Sequence, residues 1–194
     1  MKQLLIVSLA ASLVLNFGCS KPTPEQLFAK AQKDQRQAEA AADTARDPAK
    51  VRALFVPSLD AYRELVDTYP RSELAEPSLF MMGTIFNNNT HEYDRAVEAY
   101  KKYLDLFPGG KQAQLACFLI GYLYNNELHN LDSAAAAYRR FLDRYPNSEM
   151  AASAQFELST LGKSPDELLP PPARDTVRRA PIAAKPAKAK VRKH

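Results

Sequence analysis

The chain of 194 residues is 46% hydrophobic and 25% charged, with a formal net charge of +4, and this composition is typical of a globular protein. Its length accommodates one domain with tails, and its few glycines and many alanines favour helices over strands. With only two cysteines, the chain cannot hold a framework of several disulfides.

The N-terminal segment predicts a secretory signal peptide over residues 1–18. Lys2 precedes an apolar run from Leu4 to Leu15. This run is shorter than the about 20 residues that a membrane-spanning helix needs, and it matches the apolar region of a secretory signal. The alternative, a buried core helix, is disfavoured by the position of the run at the N-terminus beside Lys2.

Residues around Cys19 resemble a bacterial lipobox, in which the cysteine after the cleavage site becomes lipidated. Gly18 and Cys19 match that pattern, whereas Asn16 and Phe17 stand where a leucine and a small residue are usual. The resemblance implies that Cys19 carries acyl chains such as palmitate, and several chains anchor a protein stably. Ser20 resembles an outer-membrane sorting signal, which implies the periplasmic face of the outer membrane. The other interpretation is ordinary cleavage that leaves Cys19 as a free thiol.

After a linker over residues 19–23, one sequence motif occurs three times at intervals of 38 residues, starting at Ala61, Ala99 and Ala137. The shared positions hold a tyrosine, an aspartate, a proline, an alanine and a phenylalanine. They are Tyr62, Tyr100 and Tyr138; Asp67, Asp105 and Asp143; Pro70, Pro108 and Pro146; Ala75, Ala113 and Ala151; and Phe80, Phe118 and Phe156. An internal repeat of this length predicts stacked supersecondary units, which we place at residues 24–162.

Each unit predicts two helices. The first carries apolar residues at helical spacing as far as Phe86 in one unit and Tyr124 in the next, and asparagine-rich turns follow. The second helix is expected to begin near Asp94 or Asp132, with these aspartates as N-caps. It stops before a proline such as Pro108, because the residue before a proline avoids the α conformation.

The flanking segments predict further helices of the same array. A helix over residues 24–46 should pair with one over residues 49–69, in which Pro57 is expected to bend or delay the helix start. The last helix, over residues 148–161, should be closed by Gly162 as its C-cap. The total is seven helices, or about three and a half repeats.

Small and large residues alternate where the two helices of a unit should meet. Gly83 and Gly121 are expected to allow close approach, and Tyr100 and Tyr138 are expected to fill the adjoining spaces. Cys117 lies in an apolar helical stretch and is interpreted as a small core residue.

These residues resemble the tetratricopeptide repeat. The matching positions are Met82, Gly83, Phe86, Ala96, Tyr100 and Pro108, and then Ile120, Gly121, Tyr124, Ala134, Tyr138 and Pro146. The period is 38 residues instead of the family's about 34. This longer form resembles BamD-type outer-membrane assembly lipoproteins and the tetratricopeptide half of CpoB/YbgF cell-division coordinators, over about residues 61–162.

The resemblance implies an all-α helical-hairpin solenoid that binds a protein partner in a groove lined by the first helix of each unit. Carried over to this sequence, the groove residues are Thr84, Asn87, Asn88, Tyr122, Asn125 and Asn126. Phe80, Phe118 and Phe156 belong to the same row, but we interpret them as core between repeats.

The C-terminal segment, residues 163–194, is rich in proline and poor in large apolar residues and is therefore expected to be disordered. Residues 173–194 carry a net charge of +7, while the rest of the chain carries −3. The basic residues of this tail are Arg174, Arg178, Arg179, Lys185, Lys188, Lys190, Arg192 and Lys193. A basic tail attracts anionic surfaces, which in a secreted lipoprotein are lipid headgroups, lipopolysaccharide phosphates or acidic cell-wall polymer. The alternative is a solvated end with no partner; the signal segment argues against nucleic acid.

No arrangement of residues predicts catalysis, a cofactor or a metal site. His91 and His129 occupy equivalent turns, but metal sites in proteins usually take three or four ligands, so we interpret both as solvent-facing. The predicted function is a non-catalytic, periplasm-facing scaffold. The assembly of outer-membrane proteins and the coordination of cell wall and division remain alternative roles, and a metal carrier or enzyme using the two histidines is a third hypothesis.

Overall fold

Seven α-helices make up the described part of the computed structural model, which covers residues 21–163 and Glu167. They are α1 (Pro24–Ala42), α2 (Pro48–Thr68), α3 (Ala75–Asn88), α4 (Tyr93–Leu106), α5 (Ala113–Asn126), α6 (Leu131–Arg144) and α7 (Ala151–Thr160). The predicted all-α class and helix number are thus confirmed. The predicted signal peptide, Cys19, Ser20 and the eight basic tail residues lie outside the described residues.

The helices pack in chain order as hairpins. The pairs α1–α2, α3–α4 and α5–α6 form three hairpins, and the other extensive contacts join the second helix of one hairpin to the next helix in the chain, ending with α6 against α7. One hydrophobic cluster extends from Ala31 in α1 to Ala154 in α7. Nearest-neighbour packing around a shared core defines a helical solenoid, in agreement with the predicted three and a half repeats.

Close approach of the two helices within a hairpin depends on glycine. A Cβ atom placed on Gly83 would lie 2.5 Å from Tyr100 Cε1, and one on Gly121 would lie 2.8 Å from the Tyr138 ring. Both tyrosine rings are buried. The predicted pairing of small and large residues is therefore confirmed.

The starts of the second helices differ from the prediction. Asp94 and Asp132 are not N-caps, because α4 begins at Tyr93 and α6 at Leu131, which places both aspartates in the first turn. At α6 the cap is Asn130, whose side chain accepts a 3.0 Å hydrogen bond from the backbone N–H of Ser133.

The turns before these two helices explain that difference. His91 and His129 adopt the left-handed conformation, with φ of 54° and 50°. A non-glycine residue rarely takes this conformation. Here it turns the chain back, so that Glu92 N–H donates to Phe86 O and Asn130 N–H donates to Tyr124 O, each at 2.8 Å. The cap falls directly after the left-handed residue.

The boundaries of three helices also differ from the prediction. Helix α1 ends at Ala42 instead of residue 46, and α7 spans Ala151–Thr160 instead of residues 148–161. Helix α2 is not delayed by Pro57: it starts at Pro48 and runs through that proline. Gly162 is left-handed, with φ of 73°, as a glycine that ends a helix commonly is.

Candidate binding face on the first helices

The six residues predicted to bind a partner lie near the C-terminal ends of two first helices. They are Thr84, Asn87 and Asn88 in α3, and Tyr122, Asn125 and Asn126 in α5. We refer to these six residues as the first-helix face.

On α3, part of this face is engaged in contacts within the protein. The Thr84 hydroxyl donates to the Phe80 carbonyl at 3.2 Å. Burial raises the pKa of Tyr100, and the Thr84 hydroxyl partly opposes that rise, so Thr84 lies beside the phenol. Asn87 is half-buried and Asn88 is exposed, so their amides are accessible polar groups at the C-terminal end of this helix.

On α5 the face is more open. Tyr122 is 38% exposed. The Asn126 side-chain amide donates to the Tyr122 carbonyl at 3.1 Å, and the Asn125 amide donates to Glu157 Oε2 in α7 at 3.2 Å. The Asn125 bond joins two neighbouring first helices and fixes the orientation of one amide on the face.

Glu157 is a member of this site that the sequence analysis missed. One and two repeats earlier, the equivalent residues are Leu119 and Met81, so a carboxylate replaces an apolar side chain at this position. Comparison of the repeats at this one position is the signal that would have revealed it.

A buried hydroxyl lies beneath this face. The Tyr138 ring is fully buried, and its hydroxyl has no hydrogen-bond partner among the described residues. At the equivalent Tyr100 the neighbour is Thr84, whereas Tyr138 has Tyr122 in that position. Burial, reinforced by the nearby charge of Glu157, raises the pKa of Tyr138, so the hydroxyl stays protonated. Buried polar groups are normally hydrogen-bonded, but this hydroxyl is closed off from the surface, so it does not face a partner docked on the first-helix face.

The three repeated phenylalanines pack differently from one another. Phe80 contacts Tyr100 and Tyr103 with ring centroids 5.5 and 5.8 Å apart. Phe118 makes the equivalent contacts with the α6 rings. These ring contacts join the two helices of one hairpin, and both phenylalanines are partly buried against the hydrophobic cluster. The interpretation as core is wrong for Phe156. Phe156 is 60% exposed, because in the described chain no second helix packs against α7 as α4 and α6 pack against α3 and α5.

The histidines and the cysteine considered for metal binding or catalysis do not form a site in the described structure. His91 and His129 are exposed, and within the described residues no group of three or more His, Cys, Asp or Glu side chains is placed to hold a metal ion. Cys117 is buried, as predicted for a core residue, and its burial raises the pKa of the thiol. The described helices include none that is long and apolar enough to cross a bilayer.

The family comparison matches two of the three hairpins. The model of the tetratricopeptide repeat matches residues 78–110 and 116–148, which cover most of α3–α4 and of α5–α6. This match supports a tetratricopeptide-repeat protein, and such repeats generally bind protein partners. No curated protein matches the chain.

Proposed function

We propose that the chain is a non-catalytic scaffold that binds a protein of the bacterial envelope through the first-helix face. The observation that carries this proposal is the polar cluster where α5 meets α7: exposed Tyr122, exposed Asn126 and the Asn125 amide held by Glu157. Donors and acceptors of this kind suit the backbone of an extended peptide. The two matched repeats agree with this mode of binding.

The proposed location is the periplasmic face of the outer membrane, with the lipid anchor on Cys19. The support is the charged start and apolar run of residues 1–18 and the resemblance of Gly18-Cys19 to a lipobox. Within that compartment we propose a role in outer-membrane protein assembly, which follows from the resemblance of the 38-residue repeat to BamD-type lipoproteins.

A second candidate role is that of a cell-wall or cell-division coordinator. The segregation of charge favours it, since residues 173–194 carry +7 while the rest of the chain carries −3. Such a tail is attracted to acidic envelope polymer, whereas an assembly scaffold does not require it.

Site-specific crosslinking in the native envelope tests the binding face and separates the two roles. A photoreactive residue at position 122 should capture a partner, while the same residue at Leu106, which is 47% exposed on α4, should not. Capture of a β-barrel assembly subunit supports the first role, and capture of division or cell-wall proteins supports the second. Equal capture at both positions contradicts binding at the first-helix face.

Two further variants test the tail and the anchor. Deletion of residues 163–194 should release the protein from cell-wall fractions if the second role is correct, and unchanged fractionation contradicts that role. The substitution Cys19→Ser should abolish labelling with palmitate and release the protein from membranes. A mature protein that carries no acyl group contradicts the proposed anchor without affecting the proposed binding face.

A further inference from the structure

A second groove lies on the other set of helices, between α4 and α6, and α5 forms its floor. Its volume is about 220 Å³, smaller than the about 300–1,000 Å³ of typical small-molecule pockets. The floor and walls are mostly apolar and two cations are among the polar lining residues. The lining residues are Lys101, Leu104, Cys117, Ile120, Tyr124, Ser133, Ala136, Ala137 and Arg140.

Among the described residues, the only charged ones that line this groove are cations. None of its lining residues is acidic. Lys101 Nζ donates to the neutral Tyr124 hydroxyl at 2.8 Å, and neither Lys101 nor Arg140 takes part in an ion pair found in the described structure. Glu98 and Asp105 lie one turn to either side of Lys101 on α4, at the positions that Asp60 and Asp67 occupy one repeat earlier. Neither carboxylate lies within ion-pair distance of Lys101 or Arg140.

The preceding repeat provides an internal comparison. An equivalent groove lies between α2 and α4, with α3 as its floor, and three cations line it. Each of these cations is paired: Arg63 with Asp60 at 2.6 Å, Arg95 with Glu92 at 2.7 Å, and Lys102 with Asp67 at 3.2 Å.

A carboxylate also lines that preceding groove, since Glu98 stands where Ala136 stands one repeat later. The α4–α6 groove therefore differs in pairing and in lining: its cations are unpaired, and Ser133 and Ala136 replace Arg95 and Glu98. The repeat architecture by itself accounts for neither change, because the same architecture gives the opposite result one repeat earlier.

We propose that the α4–α6 groove docks a short acidic segment of a partner protein. One apolar side chain of that segment lies over Cys117 and Ile120, and its carboxylates pair with Lys101 and Arg140. The volume fits a side chain better than a metabolite, and the two unpaired cations specify the charge of the segment. This surface is separate from the first-helix face, so a scaffold with both can hold two partners at once.

Selection from a display library of random short peptides tests the proposal on the folded chain. Wild-type protein should enrich peptides in which acidic residues flank an apolar one. Binding of the best peptide, measured by fluorescence anisotropy, should weaken about tenfold in the double variant Lys101→Gln, Arg140→Gln. It should also weaken as salt is added. The matched double variant Arg63→Gln, Lys102→Gln in the preceding groove should bind as wild type does.

A space-filling pair of variants separates docking from general charge attraction. Ala136→Trp fills the groove without changing its charge and should abolish binding, whereas Glu98→Trp at the equivalent place in the preceding groove should not. Ala136 and Glu98 are both exposed, and circular dichroism checks that each variant folds. The absence of acidic enrichment, or equal binding by wild type and the Lys101 and Arg140 variant, overturns the proposal. The wild type is also tested for self-association. If it self-associates and Ala136→Trp abolishes that association, the groove binds a second copy of the chain, and the proposed acidic segment is overturned.

Discussion

The hydroxyl group of Tyr103 in α4 donates a hydrogen bond of 2.7 Å to the carboxylate of Glu76 in α3. The same carboxylate oxygen accepts the backbone N–H of Lys111 at 2.7 Å, and the Tyr103 hydroxyl accepts that of Gln112 at 3.0 Å. These bonds join the two helices of one repeat to the turn that begins the next. They therefore fix the relative position of two consecutive repeats.

The next repeat replaces both partners together, with Phe141 for the tyrosine and Gln114 for the glutamate. Gln114 instead accepts a 2.8 Å hydrogen bond from the Ser148 hydroxyl. We therefore expect the hydroxyl and the carboxylate to act as a unit, because either one alone would leave a polar group without its partner.

We expect Tyr103→Phe to lower the free energy of unfolding by about 1–3 kcal/mol, since it leaves Glu76 and the Gln112 N–H without a shared partner. The double variant Tyr103→Phe, Glu76→Gln should lose less than the sum of the two single variants. Urea unfolding measures all three. Tyr145→Phe is the matched control, because the Tyr145 hydroxyl has no hydrogen-bond partner in the described structure and its removal should cost little. Strict additivity of the two single variants would show that the pair is not coupled.

We expect Gly121→Ala to destabilise the fold by about 1–3 kcal/mol, because the new methyl group would meet the buried Tyr138 ring. Two effects oppose each other here, since alanine inside a helix is otherwise favoured over glycine by about 0.5–1 kcal/mol. The steric effect should prevail because the Cβ would lie only 2.8 Å from a fully buried ring. Gly109→Ala is the control, since a Cβ there meets nothing within 4 Å. Thermal unfolding compares the two variants, and a Gly121→Ala protein as stable as wild type would contradict the close-approach argument.

We expect stability to fall as the pH rises from about 10 to about 12. Burial, reinforced by the charge of Glu39, raises the pKa of Tyr62 from 10.0 to about 12, and burial together with the bond to Glu76 raises that of Tyr103 to about 12. Below pH 10 both phenols are neutral in the folded and unfolded chains, so their contribution is fully present. Above it the unfolded chain loses these protons first, and the folded state loses stability.

The urea midpoint measured across this pH interval checks that prediction. Tyr62→Phe removes one of the titrating groups and should make the fall shallower. At neutral pH the Tyr62→Phe variant should lose little stability, since the Tyr62 hydroxyl has a single side-chain partner, Gln35, at 3.0 Å. Identical slopes for wild type and Tyr62→Phe would mean that the alkaline loss has another origin.

We expect the left-handed turn before α6 to tolerate some substitutions at His129 and not others. His129→Asn should leave stability within about 0.5 kcal/mol of wild type, because asparagine adopts this conformation readily. His129→Val should cost about 1–2 kcal/mol, since a β-branched side chain clashes with the backbone at φ of 50°. Thermal unfolding distinguishes the two, and equal stabilities would show that the turn relaxes to another conformation.

The features that recur every 38 residues could be predicted from the sequence. The helices of the two full hairpins α3–α4 and α5–α6, their pairing and the contacts of Gly83 and Gly121 with tyrosine rings all follow from positions that the repeats share. Recurrence made these positions recognisable, because a pattern present in two consecutive units reflects packing that both units need.

The features that differ between repeats could not be predicted in this way. The Glu157 carboxylate at the first-helix face and the unpaired Arg140 in the α4–α6 groove each occur in one unit only. Their partners depend on the spacing of neighbouring helices and on side-chain rotamers, which a sequence pattern does not encode. The helix caps at Glu92 and Asn130 were missed for a different reason, since the left-handed residue before each cap is a histidine and not the more usual glycine.

Ser159 determines how this array of helices can be extended by protein engineering. It stands in α7 where Gly83 and Gly121 stand in the two earlier first helices. A copy of α6 grafted behind α7 would bring its tyrosine ring against the Ser159 side chain, at the place where a Cβ on Gly121 would lie 2.8 Å from Tyr138. Lengthening the solenoid by a whole unit would therefore require Ser159→Gly first. The hydroxymethyl group of Ser159 occupies the space that the tyrosine ring of an added helix would need.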